Sequence, residues 1–260
     1  MKVRCNPMKK IAVITGASSG FGKEFVRQIC MSKGYKFDEI WIIARRRERL
    51  EKLAEKYHRQ TFKILDLDLS KTECLEKYSQ ILQEENPNVS LLINNAGLGK
   101  IGNFEEIDLN DNMNMIDVNI KALTYITQET LKYMRKSSRI IQIGSSAAFL
   151  PQPKFAVYAA TKSYVLSFSR ALERELKGRG IYVTAVCPGP VETEFFRVAS
   201  NNEKPKSFKK FFFEPAHLVV SKALYDSRKG NYISIQGKSM KALQILSKVV
   251  PHSLILKFIK

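Results

Sequence analysis

The 260-residue chain carries 43 Lys+Arg against 25 Asp+Glu, a formal net charge of +18, with 44% hydrophobic and 26% charged residues. That mixture excludes disordered, collagenous and coiled-coil chains. No run approaches the roughly 18 uninterrupted apolar residues that a spanning helix needs, and the length suits one large α/β domain. The positive excess fits a Lys-rich surface, a phosphorylated ligand, anionic lipid or nucleic acid. No nucleic-acid motif accompanies it, so nucleic acid is not expected as a partner. Cysteines 5, 30, 74 and 187 are too far apart for Cys-x-x-Cys pairs and imply free thiols in a reducing cytoplasm. Histidines 58, 217 and 252 are isolated, so neither a metal site nor a Ser-His-Asp triad is expected.

In chain order, a basic leader enters the apolar run Ile11-Ala12-Val13-Ile14, too short for an export segment and better read as a buried strand. Similar runs predict strands over 11–15, 39–44, 62–67, 91–94, 139–143, 182–186 and 232–235. Between them, helical periodicity predicts helices over 22–32, 46–57, 71–85, 112–136, 157–177 and 215–226. This alternation is that of βαβ units around a parallel sheet, so the prediction is a single doubly wound α/β domain over 1–260, seven strands with helices on both faces. Three regions break the alternation: the loop 98–109, the segment 192–214 and the tail 237–260.

The first strand runs into Thr15-Gly16-Ala17-Ser18-Ser19-Gly20-Phe21-Gly22 and then a helix. Gly16 permits a tight turn, Gly20 lets backbone approach a diphosphate, and Gly22 allows close helix packing, while the helix start offers unpaired N–H groups. Ser18, Ser19 and Phe21 belong to the same loop. The second strand ends at Ala44-Arg45-Arg46, where an NAD site would carry a carboxylate for the ribose 2′-hydroxyl. A guanidinium suits a 2′-phosphate instead, which predicts NADP(H) over NAD(H), with Arg45 on the phosphate and Arg46 along the adenine.

Tyr158 and Lys162 are four apart on a helical pattern and share a face. The ammonium is expected to lower the phenol's affinity for its proton and make an acid/base pair. A second Tyr-x-x-x-Lys, at Tyr225 and Lys229, has Phe212 thirteen positions upstream, whereas Tyr158 has Ser145 there, at the carboxyl end of the fifth strand. Ser145 can donate to a substrate carbonyl; Ser146 is its local rival.

These motifs, with Asn94-Asn95-Ala96-Gly97, Asn119 and Pro188-Gly189-Pro190-Val191-Glu192-Thr193, resemble in order and spacing the short-chain dehydrogenase/reductase family over roughly residues 9 to 235. The resemblance implies a Rossmann-like fold and a catalytic tetrad of Asn119, Ser145, Tyr158 and Lys162, with Asn119 holding a water. It implies cofactor contacts from Asn95, Ala96 and Gly97, from Asp68 and Leu69 at the adenine, with Asp66 the competing choice, and from Pro188, Gly189, Val191 and Thr193 at the carboxamide. Residues 192–214 correspond to the family's substrate lid, with Phe195, Phe196 and further phenylalanines lining an apolar pocket. The basic amphipathic tail is expected to dock on its own lid or a partner subunit, with contact to a membrane surface as the alternative.

The reading is therefore a cytoplasmic, homodimeric or homotetrameric NADP(H)-dependent oxidoreductase interconverting a carbonyl and a secondary alcohol. A ketone, a steroid-like or fatty-acyl carbonyl and a 3-oxoacyl thioester all fit. The alternative is a non-catalytic NADP-sensing or membrane-surface binding protein on the same fold.

Overall fold

Strand β1 (Lys10–Thr15) buries Ile11 to Ile14 completely, as expected of a parallel strand covered on both faces. It lies between β2 (Glu39–Ile43) and β4 (Asn88–Asn94). With β3 (Phe62–Leu65), β5 (Arg139–Ile143), β6 (Tyr182–Val186) and β7 (Ile233–Ser234) they form a parallel sheet of order β3-β2-β1-β4-β5-β6-β7. The structure is a computed structural model and describes residues 8–191, 193–199 and 214–257; the seven strands are those of the described residues.

Alternation along the strands divides the core in two. Ala12, Ile14, Ile40 and Ile42 pack with Phe25 and Val26 of α1 (Gly20–Met31), with Leu50 of α2 (Arg47–Lys56) and with Val219 and Val220 of α8 (Ala216–Lys229). On the other face Ile11, Val13 and Trp41 pack with Leu75, Tyr78 and Leu82 of α3 (Thr72–Glu85), Ile126 of α5 (Leu123–Leu131) and Leu172 of α6 (Ala156–Leu176). Each fully buried Ile, Leu or Val contributes about 1.5–3 kcal/mol against exposure. The order reverses between β1 and β4, so a crevice opens above their carboxyl ends, where open α/β sheets bind ligands.

The expected elements are present with shifted ends. Strand β4 begins at Asn88, three residues before the expectation, because Asn88 and Val89 pair with Lys10 and Ile11 across a register shift that no sequence pattern announces. Strand β7 is reduced to two residues. The largest departure is the helix expected over 112–136. It is α4 (Leu109–Ile116), whose start is capped by Asp108, then a π-helical turn over Asp117–Ala122, then α5. A π turn inserts one residue and so rotates the following side chains by about 100° relative to a continuous α-helix.

The tail bends at Gly237 (φ +83°), continues as α9 (Lys238–Val249), breaks at Pro251 and ends in α10 (His252–Leu256). Met240 is buried with Phe149, Cys187 and Ile235, so α9 docks on its own chain. Ile245, Leu246, Val249 and Leu254 stay exposed. Between α10 and α6 lies a cavity of about 470 Å³ bordered by Leu150, Pro153, Ala160, His252 and Leu256. No helix among the described residues is long and apolar enough to cross a membrane.

Candidate active site

The loop after β1 is built around Thr15. Its Oγ1 accepts from the amides of Asn95 and Ala96, both at 2.9 Å, and the Asn95 Nδ2 donates to Thr15 O at 3.0 Å and Gly16 O at 3.1 Å. The two strand ends are thus tied together. Gly16 has φ +64°, and a Cβ on Gly22 would stand 2.1 Å from Gly16 O, so α1 meets the loop with no room for a side chain. No side chain caps the start of α1 and its first turn holds no acid. Above Gly20 the space stays open until Thr193 at 3.7 Å. Such a cradle fits the diphosphate of a dinucleotide.

Nearby, Asp68 Oδ1 accepts from the Ser70 amide at 3.1 Å and its hydroxyl at 2.9 Å, which shapes the turn into α3, and Leu69 is buried. Asp66 instead pairs with Arg47 on the surface. Beyond β6, Pro188 O accepts from Ser146 N at 2.8 Å, Gly189 abuts Met240, and Val191 is buried. Ser146 is therefore a buried structural residue, leaving Ser145 facing the site.

Ser145 caps the short 3-10 turn Ser146–Phe149, accepting from Ala147 N at 3.1 Å. That contact occupies a lone pair and leaves the hydroxyl proton free to donate, and the group lies beside the Tyr158 phenol, where it favours the ionised form. Lys162, one helical turn on, donates to Ile143 O at 2.9 Å, with its Nζ 5.6 Å from the Tyr158 ring centre. The π turn brings Asn119 to this group: Oδ1 accepts from Leu98 N at 2.9 Å, and Nδ2 donates to Leu98 O at 2.8 Å and Thr161 Oγ1 at 3.0 Å. Its donors are committed to the loop at Leu98 and to α6 at Thr161, and a lone pair on Oδ1 remains for a water. Gly97 lies between this amide and Lys162, where a Cβ would be 3.2 Å from Asn119 Oδ1 and 3.4 Å from Lys162 Nζ.

The expected effect of Lys162 on Tyr158 is corrected by this geometry. Burial pushes the phenol up to about 12, and burial likewise brings the Lys162 ammonium down to about 8. The cause is aromatic cover. Phe155 stacks on Tyr158 at 4.1 Å between ring centres, and Phe195 tilts over it at 5.4 Å, leaving Tyr158 6% exposed. Desolvation outweighs the hydrogen bond from Ser145, which favours the phenolate, and the Lys162 ammonium is aimed at Ile143 O.

Phe195 belongs to α7 (Glu194–Ala199), which follows Thr193; Phe196 is half-buried on the same helix. The rest of the expected lid, residue 192 and residues 200–213, lies outside the described residues. Of the two arginines weighed for the 2′-phosphate, both exposed, Arg46 reaches the loop, with Nη2 3.3 Å from Ser18 Oγ and 3.4 Å from Ser19 Oγ. Strand β2 ends at Ile43, and the chain turning into α2 aims Arg46 at the loop. Sequence reasoning missed Arg49, one turn further along α2, and Glu194, which pairs with both arginines at 2.5 Å and 2.7 Å. The Arg46-x-x-Arg49 spacing was the available signal for the first; nothing local marked the second.

A diphosphate cradle at the reversal point of a parallel sheet, with Ser145 and the buried Tyr158 and Lys162 beside it, defines a nicotinamide-nucleotide oxidoreductase acting on an alcohol or carbonyl group. The sequence matches the short chain dehydrogenase family over residues 10–204. It is 35% identical over 208 residues to sulfoacetaldehyde reductase 2 of Chromohalobacter salexigens, spanning 77% of this chain and 80% of that one. The short-chain dehydrogenase from Sphingobium yanoikuyae in complex with NADPH superposes with a TM-score of 0.76 at 26% identity, covering 94% of this chain and 97% of that one. A Burkholderia phymatum short-chain dehydrogenase/reductase in complex with NAD has the same fold, with a TM-score of 0.78 at 20% identity over 95% of both chains. The chain belongs to the short-chain dehydrogenase family. These two structural neighbours carry different nicotinamide cofactors.

Proposed function

We propose that the protein is an NADP(H)-dependent carbonyl reductase, or in reverse a secondary-alcohol dehydrogenase, with Tyr158 as its acid and base. The observation that carries the reading is Ser145, whose hydroxyl proton is free to donate beside a buried Tyr158 backed by Lys162. A bound nicotinamide supplies the hydride in one direction and accepts it in the other. Ser145 donates to the carbonyl oxygen and fixes it beside the phenol. Tyr158 gives that oxygen its proton as negative charge develops there, and Lys162 stabilises the phenolate left behind. Asn119 holds Leu98 and offers one lone pair to a water of the proton path.

The cofactor preference is supported by Arg46 beside Ser18 and Ser19, and by the lack of a carboxylate at the end of β2. In this reading Gly16, Gly20, Phe21 and Gly22 surround the diphosphate, and Arg45 adds long-range attraction. Asp68 and Leu69 border the adenine, Asn95, Ala96 and Gly97 the ribose, and Pro188, Gly189, Val191 and Thr193 the carboxamide. Phe155 and Phe195 against Tyr158 support a moderately apolar carbonyl compound as substrate. Assembly as a homodimer or homotetramer belongs to the same proposal, supported by Leu109, Met113 and Ile116 exposed along α4.

Fluorescence titration with NADPH and NADH, followed by consumption of the bound cofactor against a panel of ketones and aldehydes, tests the reading. Preferential NADPH binding with turnover abolished in Tyr158→Phe is the expected result. Equal binding of both cofactors overturns the preference, and no turnover with any carbonyl overturns the activity.

A further inference from the structure

Two adjacent residues of α7 hold opposite parts of the site. The Glu194 carboxylate meets Arg46 Nη1 at 2.5 Å and Nη2 at 3.3 Å, and Arg49 Nη1 at 2.7 Å. The same Arg46 Nη2 lies 3.3 Å and 3.4 Å from the hydroxyls of Ser18 and Ser19. Two guanidiniums meeting one carboxylate, with two hydroxyls beside the nearer guanidinium, are the groups that would hold a phosphate monoester. Arg46 foremost, with Arg49, holds the Glu194 carboxyl down to about 2, so it is ionised at any working pH. The next residue, Phe195, lies over Tyr158 and so close to Gly99 that a Cβ there would be 2.7 Å from its ring.

We propose that the Glu194 carboxylate occupies, among Arg46, Arg49, Ser18 and Ser19, the place of the cofactor's 2′-phosphate, so that binding of the phosphate displaces it, unfastens α7 and frees Phe195 to leave Tyr158. The inference rests on the NADP(H) reading above. A phosphate monoester brings up to two charges and three acceptor oxygens to the same donors and outcompetes a single carboxylate. A cofactor without the phosphate leaves the ion pairs intact and the phenol covered. Glu194 is therefore a specificity-determining residue that links the choice of cofactor to access of the substrate. The carboxylate is 27% exposed and the two guanidiniums 43% and 46%, so the competition is partly screened and its effect modest.

The test compares wild type with Glu194→Gln, using NADPH, NADH, adenosine 2′,5′-bisphosphate and adenosine 5′-monophosphate as probes. Removing the internal competitor is expected to tighten NADPH and the bisphosphate by about fivefold, the size of a partly exposed two-arginine pair, while NADH and the monophosphate change less than about twofold. Hydrogen exchange supplies a readout independent of turnover. In wild type the bisphosphate should speed exchange of the α7 amides and the monophosphate should not; in the variant exchange is fast from the start. Unchanged or weaker NADPH and bisphosphate binding in the variant, or α7 exchange indifferent to the bisphosphate, overturns the proposal. If wild type binds the bisphosphate no better than the monophosphate, and Arg46→Gln alters neither, the cofactor reading itself has failed. Preferential bisphosphate binding without an effect of Glu194→Gln removes only the displacement.

Discussion

Gly22→Ala is the substitution whose outcome follows most directly from the coordinates. The added Cβ would stand 2.1 Å from Gly16 O, 2.7 Å from Gly16 C and 2.6 Å from Asn95 Nδ2. None of these is the end of a flexible side chain: Gly16 is backbone, and the Asn95 amide is fixed by its bonds to Thr15 O and Gly16 O. Separating carbon and oxygen to ordinary contact requires a shift of about 1 Å, either of the loop or of α1 with its buried Phe25, Val26 and Ile29. Overpacking of this kind costs about 2–3 kcal/mol. With an unfolding entropy of about 2.1 cal/mol/K per residue, a chain of this length loses about 5 °C in melting temperature. The same shift misaligns the N–H groups at the start of α1, so NADPH affinity should fall by at least about a hundredfold, the loss of two or three charge-assisted hydrogen bonds. Gly178→Ala is the control, because nothing lies within 4 Å of its added Cβ. It should melt within about 1 °C of wild type and bind nucleotide normally. Differential scanning fluorimetry and NADPH fluorescence titration read both quantities. A Gly22→Ala protein that melts within a degree of wild type and binds NADPH within threefold would refute the packing argument.

Tyr158→Phe should lower turnover by about a hundred- to ten-thousandfold while leaving the NADPH dissociation constant within about threefold, since only the proton-transferring hydroxyl is lost; a variant retaining a tenth of the rate would dismiss Tyr158 as the acid. Phe195→Ala should uncover the phenol, which burial raises to about 12. A less desolvated phenol ionises at lower pH, so the rise of kcat/KM for alcohol oxidation with pH should move downward, and an unmoved or upward-shifted profile counts against the cover. Asp226, 1% exposed, keeps its carboxyl below the ordinary value despite the desolvation of burial, through bonds from Lys222 at 2.5 Å and Asn231 at 2.9 Å. Asp226→Asn should lose about 2–3 kcal/mol in urea denaturation at pH 7. The sign follows from a folded pKa below the unfolded one: the stabilisation is present above about pH 4 and is lost as pH falls through the lower folded value, so the two proteins should converge in acid. A gap that stays constant with pH would show that the charge is not what matters.

Much of this protein is readable before it folds. The apolar runs that become β1, β2, β5 and β6, the glycine loop opening α1, and the four-residue spacing of Tyr158 and Lys162 are consequences of strand burial, backbone torsion and helical period. Each is a property of neighbouring residues, so the sheet, the glycine loop and the shared helical face of Tyr158 and Lys162 could be read from the chain alone. The π turn carrying Asn119 was not readable, because its extra residue is stabilised by bonds to Leu98 and Thr161, 21 and 42 positions away. The tertiary structure also decided that Arg46 and not Arg45 reaches Ser18 and Ser19, and that Glu194 meets Arg46 across 148 residues of sequence. It reversed the expected state of Tyr158, because a phenol's affinity for its proton depends on how much water Phe155 and Phe195 exclude. Periodicity is local and survives in one dimension; desolvation and ion pairing arise only once distant segments have closed on one another.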